Sequence, residues 1–172
     1  MSLQAAHASD LTQRKAGEEK MSSFSRILLC YDASREGRRA LREGAQLALE
    51  CHAQTHLLAV LDNAPVQWAM ADVTLAVPLD SAEDAAREIL REGVARLTAM
   101  GLDAQGHFVV GRPIDEIARY CEMLKPDVVV LGHHRRGALA RWWEGRDDRL
   151  LLDRVSCNVL VVTAPEPEPA PA

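Results

Sequence analysis

A chain of 172 residues with 48% apolar and 26% charged side chains is long enough for one domain with a buried core. Its net charge of −5 argues against a general nucleic-acid binder, whose footprint is basic. No apolar run approaches the ~20 residues that cross a bilayer, so neither nucleic acid nor membrane is expected as a partner.

Residues 1–24 are polar, mix charges and lack periodicity, which predicts a disordered extension. They carry no apolar h-region, so no secretory signal is expected, and a cytoplasmic location follows as an expectation; Met21 is an alternative start. At the other end, residues 164–172 (APEPEPAPA) predict an extended, disordered polyproline tail. Residues 25–163 between them read as a single domain.

Within that domain, Arg26 to Tyr31 (RILLCY) is a short apolar run expected as a strand buried on both faces. Asp32-Ala33-Ser34 ends it, and Ser34 is placed to cap a helix starting at Arg35. That helix carries Ala40, Leu41, Ala45, Leu47, Ala48 and Leu49 along one apolar face. Thr55 to Leu61 is the second strand. The connection from Asp62 to Leu79, with Trp68, Met70 and two prolines, is long enough to be functional or to hold a helical turn.

Ser81 is then expected to cap a second helix whose apolar positions Ala86, Ile89, Leu90, Val94 and Leu97 keep the 3.6 period, with Gly101 as its C-cap. A third strand centres on His107 to Val110, and Pro113 opens the helix Ile114 to Leu124. Val128 to Leu131 is the fourth strand, expected to break at Gly132 into a loop dense in His, Arg, Gly and Trp. A fourth helix follows with Asp147 and Asp148 in its first turn, and Asn158 to Thr163 is the fifth strand. The order βαβαβαβαβ predicts a doubly wound, five-stranded parallel sheet with helices on both faces, Rossmann-like, which takes ligands at the strand C-termini.

The chain lacks G-x-G-x-x-G, Walker spacing, and a G-x-S-x-G elbow around Ser34, so dinucleotide, P-loop and triad hydrolase chemistry have no support. Asp32 without an acidic cluster and a switch lysine does not make a phospho-acceptor. The four cysteines, Cys30, Cys51, Cys121 and Cys157, have no C-x-x-C spacing and read as reduced, partly buried thiols. His133-His134 lack a third ligand nearby and read as polar loop residues. Trp142-Trp143 read as loop anchors packed on the sheet edge rather than a partner patch.

Three stretches in order resemble the universal stress protein family: ILLCYDAS-REGRRAL, GRPIDEIARYCEMLKPDVVVLG, and GALARWWEGR…LLDRVSCNVLVV. The resemblance covers residues 25–163. It implies the adenine nucleotide alpha hydrolase-like form of the fold, homodimerisation through an edge strand and, in one branch of the family, ATP or AMP at the strand ends. That branch carries Gly-x-x-Gly, nine residues, then Gly-Ser or Gly-Thr. Here Gly132 and Gly145 match, while Arg135 stands at the second glycine and Arg146 at the hydroxyl residue. The resemblance also implies a nucleoside contact at Asp32 and an adenine-lining position at Val60, and His133, next to Gly132, reads as a polar residue near the same crevice.

These departures have physical consequences. Arg135 puts a long side chain where a glycine lets backbone approach phosphate, although its guanidinium fork can itself contact phosphate. Arg146 removes a hydroxyl cap, and Asp147 and Asp148 favour the helix dipole while repelling a triphosphate. The expectation is a nucleotide site altered or lost. The leading reading is a non-enzymatic, dimeric stress protein joined through the edge strand Asn158 to Val162. Its alternatives are a nucleotide-independent module binding a protein or an anionic metabolite through the Arg/Trp loop, and a slow ATP hydrolase.

Overall fold

The computed structural model describes residues 24–62, 79–133 and 148–163. Arg135, Gly145, Arg146, Asp147, the tryptophans Trp68, Trp142 and Trp143, and both terminal extensions lie outside the described residues.

The strands are β1 (Arg26–Cys30), β2 (Gln54–Asp62), β3 (Ala104–Gly111), β4 (Val128–His133) and β5 (Asn158–Thr163). The helices are α1 (Arg35–Cys51), α2 (Leu79–Ala99), α3 (Pro113–Leu124) and α4 (Asp148–Arg154). All neighbouring strands pair in parallel, in the order β3-β2-β1-β4-β5. Parallel neighbours need crossovers, and right-handed crossovers place successive helices on one face until the direction of winding reverses. It reverses between β1 and β4, so α1 and α2 cover one face while α3 and α4 cover the other.

Alternation along each strand supplies both cores. Ile27, Leu29, Leu57, Val128 and Val130 meet Ala40, Leu41, Ala45 and Ala48 of α1 and Leu97 of α2. Leu28, Leu58, Val129 and Leu131 meet Ile114, Ile117 and Cys121 of α3 and Leu151 of α4. A fully buried Leu, Ile or Val contributes roughly 1.5–3 kcal/mol, and these central strands bury them on both faces. The small residues of α1 let it lie close to the sheet: a Cβ added at Gly44 would stand 2.5 Å from Leu29 Cδ2.

Local chemistry sets the helix ends. Ser34 is extended at φ −64°, and its Oγ accepts from the Gly37 N–H at 2.8 Å, the expected N-cap. Gly101 sits at φ +88°, letting the Leu102 N–H reach the Leu97 carbonyl at 3.0 Å and close α2 in a Schellman turn. Pro113 opens α3 as its spacing predicts. The expectation for Ser81 is corrected: α2 already begins at Leu79, so Ser81 is the third helical residue and not the cap. Gly132 is also corrected. The fourth strand does not break there, because Gly132 and His133 still pair with Val162 and Thr163.

Asp127 joins the N-terminal ends of three strands. Its Oδ2 accepts from the Ser25 and Arg26 N–H groups at 2.6 and 2.8 Å, and its N–H donates to the Arg26 carbonyl at 2.8 Å. Its own carbonyl accepts from the Asn158 N–H at 3.0 Å. The starts of β1, β4 and β5 are thereby held in register.

Candidate functional site

The reversal between β1 and β4 opens a crevice at their C-terminal ends, where α1 leaves one face and α3 and α4 occupy the other. Strand register determines what lines it. Cys30 pairs with Leu58, so two residues further on Asp32 and Val60 stand at a common level. Leu29 pairs with Val130, so His133 reaches that level on the other side of β1. Alternation turns Val60 and His133 toward one side of the sheet, with Val60 half-buried against the α3 face, while Asp32 follows β1 in the turn to α1. Asp32, Val60, Gly132 and His133 therefore gather at one rim, although 101 residues separate the first from the last.

The crevice floor is backbone. A Cβ added at Gly132 would lie 2.7 Å from the Glu36 carbonyl carbon, 2.8 Å from its oxygen and 2.9 Å from the Gly37 nitrogen. The first turn of α1 thus rests directly on β4, with no room for a side chain. A Cβ at Gly37 would stand 2.1 Å from Asp32 Oδ1, a side-chain atom that would have to move. Glycine at 132 serves close approach rather than a turn, which explains why the strand runs through it.

Asp32 is exposed but held in place. Its Oδ1 accepts from the Ser34 N–H at 3.0 Å and from the Ser34 hydroxyl at 2.6 Å, and that hydroxyl accepts in turn from Gly37. Ala33 takes the left-handed conformation at φ 56° to make the turn, and its carbonyl accepts from the Arg38 guanidinium. The carboxylate is therefore fixed over the N-terminus of α1 by the side chain that caps the helix. Two arginines, Arg35 and Arg38, stand exposed in or next to the same first turn. Basic residues there work against the helix dipole and add positive charge beside the crevice.

Beneath the rim lies Cys30, half-buried at the end of β1. Burial pushes its thiol well above the usual range, with Cys121, Asp32 and Cys157 acting in the same direction. A protonated thiol there is an apolar neighbour for a ligand and not a nucleophile.

Two groupings had no signal in the linear sequence. His56 Nδ1 and His107 Nε2 lie 3.1 Å apart across β2 and β3, with the Tyr120 ring 5.2 Å from that of His107. Cys121 of α3 and Cys157, just before β5, bring their sulfurs to 3.9 Å although 36 residues separate them. Only the pairing of strand pleat and helix face, read together, could have placed either pair.

The fold agrees with three comparisons. The model of the "Universal stress protein family" matches residues 23–163. The universal stress protein MJ0531 of Methanocaldococcus jannaschii is 23% identical over 145 residues, covering 84% of this chain and 85% of its own. Among solved structures, the hypothetical protein MJ0577 superposes with a TM-score of 0.68 at 21% identity, over 86% of this chain and 99% of that one. A universal stress protein in complex with cAMP gives 0.61 at 22% identity, over 82% and 98%. The universal stress protein of Archaeoglobus fulgidus in complex with dAMP gives 0.57 at 18% identity, over 80% and 96%. The family match spans all five strands of the two-faced sheet, and the chain belongs to the universal stress protein family.

Proposed function

We propose that this protein is a non-enzymatic, dimeric stress protein of the cytoplasm, acting through partner binding and tuned by an adenine nucleotide in the crevice. The observation that carries this reading is the shared level of Asp32, Val60 and His133 above the glycine contact of β4 with α1. An oriented carboxylate suits ribose or base hydroxyl and amine donors, and Val60 offers an apolar wall for the base. The cAMP and dAMP complexes of structural relatives support the choice of an adenine mononucleotide. The departures at Arg135 and Arg146 lead to weaker binding than an intact glycine cradle gives, with AMP favoured over ATP near Asp147 and Asp148.

Isothermal calorimetry with AMP and ATP tests the ligand. Heat for AMP that disappears in Asp32→Ala is expected; no heat with either nucleotide up to millimolar concentration overturns nucleotide control. Dimerisation is assigned to β5, which among the described residues pairs with β4 alone and leaves Leu160 37% exposed at the sheet margin. Light scattering is expected to give a dimer that Leu160→Lys converts to a monomer. A wild-type monomer at micromolar concentration overturns that assignment.

A further inference from the structure

We propose that Cys121 and Cys157 form a reversible intramolecular disulfide on exposure to hydroperoxides, making this dithiol a modification site at the end of the sheet opposite the crevice. The inference is independent of nucleotide binding. Its basis is placement: the two sulfurs are in contact at 3.9 Å, one on α3 and the other at the root of edge strand β5. A disulfide needs about 2.0 Å, so its formation would draw the two sulfurs together from the 3.9 Å they now hold.

The two thiols differ in a way that divides their roles. Cys157 is partly exposed, whereas Cys121 is buried at 6% exposure. Burial pushes the Cys121 thiol up to about 12, with the neighbouring Cys157 adding to the effect. Burial raises the Cys157 thiol too, and Asp127 adds to it, but its hydrogen bond with Cys121 and those with the backbone of Cys157 and Val129 pull the other way. Cys157 is thus the better nucleophile and the one that solvent-borne oxidant can reach.

The chemistry balances as follows. The Cys157 thiolate attacks a peroxide oxygen, the O–O bond breaks, and the leaving alkoxide takes up the proton that Cys157 released. Cys157 becomes a sulfenic acid. The Cys121 sulfur then attacks the sulfenic sulfur, the S–S bond forms, and hydroxide leaves with the Cys121 proton as water. Two thiols have lost two electrons and two protons, and one hydroperoxide has become one alcohol and one water. The product ties α3 to the base of β5.

The full chain is treated with hydrogen peroxide in its native state, quenched with N-ethylmaleimide, then denatured and mapped by mass spectrometry without reduction. Two of the four thiols should be lost, in one species linking the Cys121 peptide to the Cys157 peptide and reversed by dithiothreitol. Cys121→Ser should leave a sulfenic acid at Cys157 that dimedone traps, and Cys157→Ser should leave Cys121 unreacted. The mapping of the wild-type chain decides the matter even if a variant fails to fold. All four thiols intact, a link through Cys30 or Cys51, a link between chains, or Cys121 oxidised in Cys157→Ser would each overturn the proposal.

Discussion

Replacing Gly132 with alanine is the sharpest test of how the crevice is built. The added Cβ would sit 2.7, 2.8 and 2.9 Å from three backbone atoms of Glu36 and Gly37. Real Cβ atoms do not come that close, and backbone in a helix's first turn cannot rotate aside as a side chain can. The first turn of α1 must lift from β4, an overpacking cost of roughly 1–3 kcal/mol. Loss of glycine's freedom in the unfolded chain returns about 0.4–1 kcal/mol. The net is a destabilisation of up to about 2.5 kcal/mol, which in a domain of this size lowers the thermal midpoint by up to roughly 10 °C. Gly44→Ala is the control. Its Cβ would meet side-chain atoms, Leu29 Cδ2 at 2.5 Å and Val130 Cγ1 at 3.3 Å, which can repack. A helix interior also favours alanine over glycine by about 1 kcal/mol. Differential scanning fluorimetry of both variants should therefore give the larger fall for Gly132→Ala. The reasoning is refuted if Gly132→Ala melts with the wild type, or if Gly44→Ala falls further.

Three other outcomes are expected. Ser34→Ala removes both the cap to Gly37 and the hydroxyl that orients Asp32, so chemical denaturation should report a loss of about 1 kcal/mol. A nucleotide titration of the same variant should weaken as well. Asp127→Ala deprives two N–H groups at the start of β1 of their acceptor, and urea unfolding should report a loss of about 1–3 kcal/mol, smaller for Asp127→Asn. The third concerns pH. Burial holds the His56 and His107 rings below the ordinary histidine value, and for His56 the neighbouring His107 and Arg26 add to this. The folded state therefore binds fewer protons than the unfolded chain, so stability is fully present above about pH 6.5 and falls as pH drops below it. Urea midpoints at several pH values should show this slope, and His107→Gln should flatten it; an unchanged slope counts against the pair as its source.

Much of the architecture was legible in the residues. The runs RILLCY, THLLAVL and NVLVVT are short, β-branched or leucine-rich, and bounded by turn residues, so their identity as buried strands needed no partner. Ser34, Gly101 and Pro113 act on backbone within a few residues of themselves, and each ends or starts its helix where its chemistry dictates. Ser81 misled because a serine within a helix's first turn has the same sequence surroundings as one that caps it. Gly132 misled because a glycine at a strand end has two uses, a turn and a close approach, and only the position of Glu36 distinguishes them.

Of the candidate site, Asp32, Val60, Gly132 and His133 stand at the C-terminal ends of β1, β2 and β4, while Arg135, Gly145 and Arg146 fall outside the described residues. The sequence by itself determined the alternation of strands and helices and the ends set by Ser34, Gly101 and Pro113, because those follow from local periodicity and short-range sterics. The tertiary structure alone decided which side chains face one another across distance. Register and pleat brought Asp32, Val60 and His133 to a single level, made backbone the crevice floor, and set Cys121 against Cys157 and His56 against His107. Those meetings depend on how strands align and how helices seat on them, a relation between segments that no stretch of chain contains.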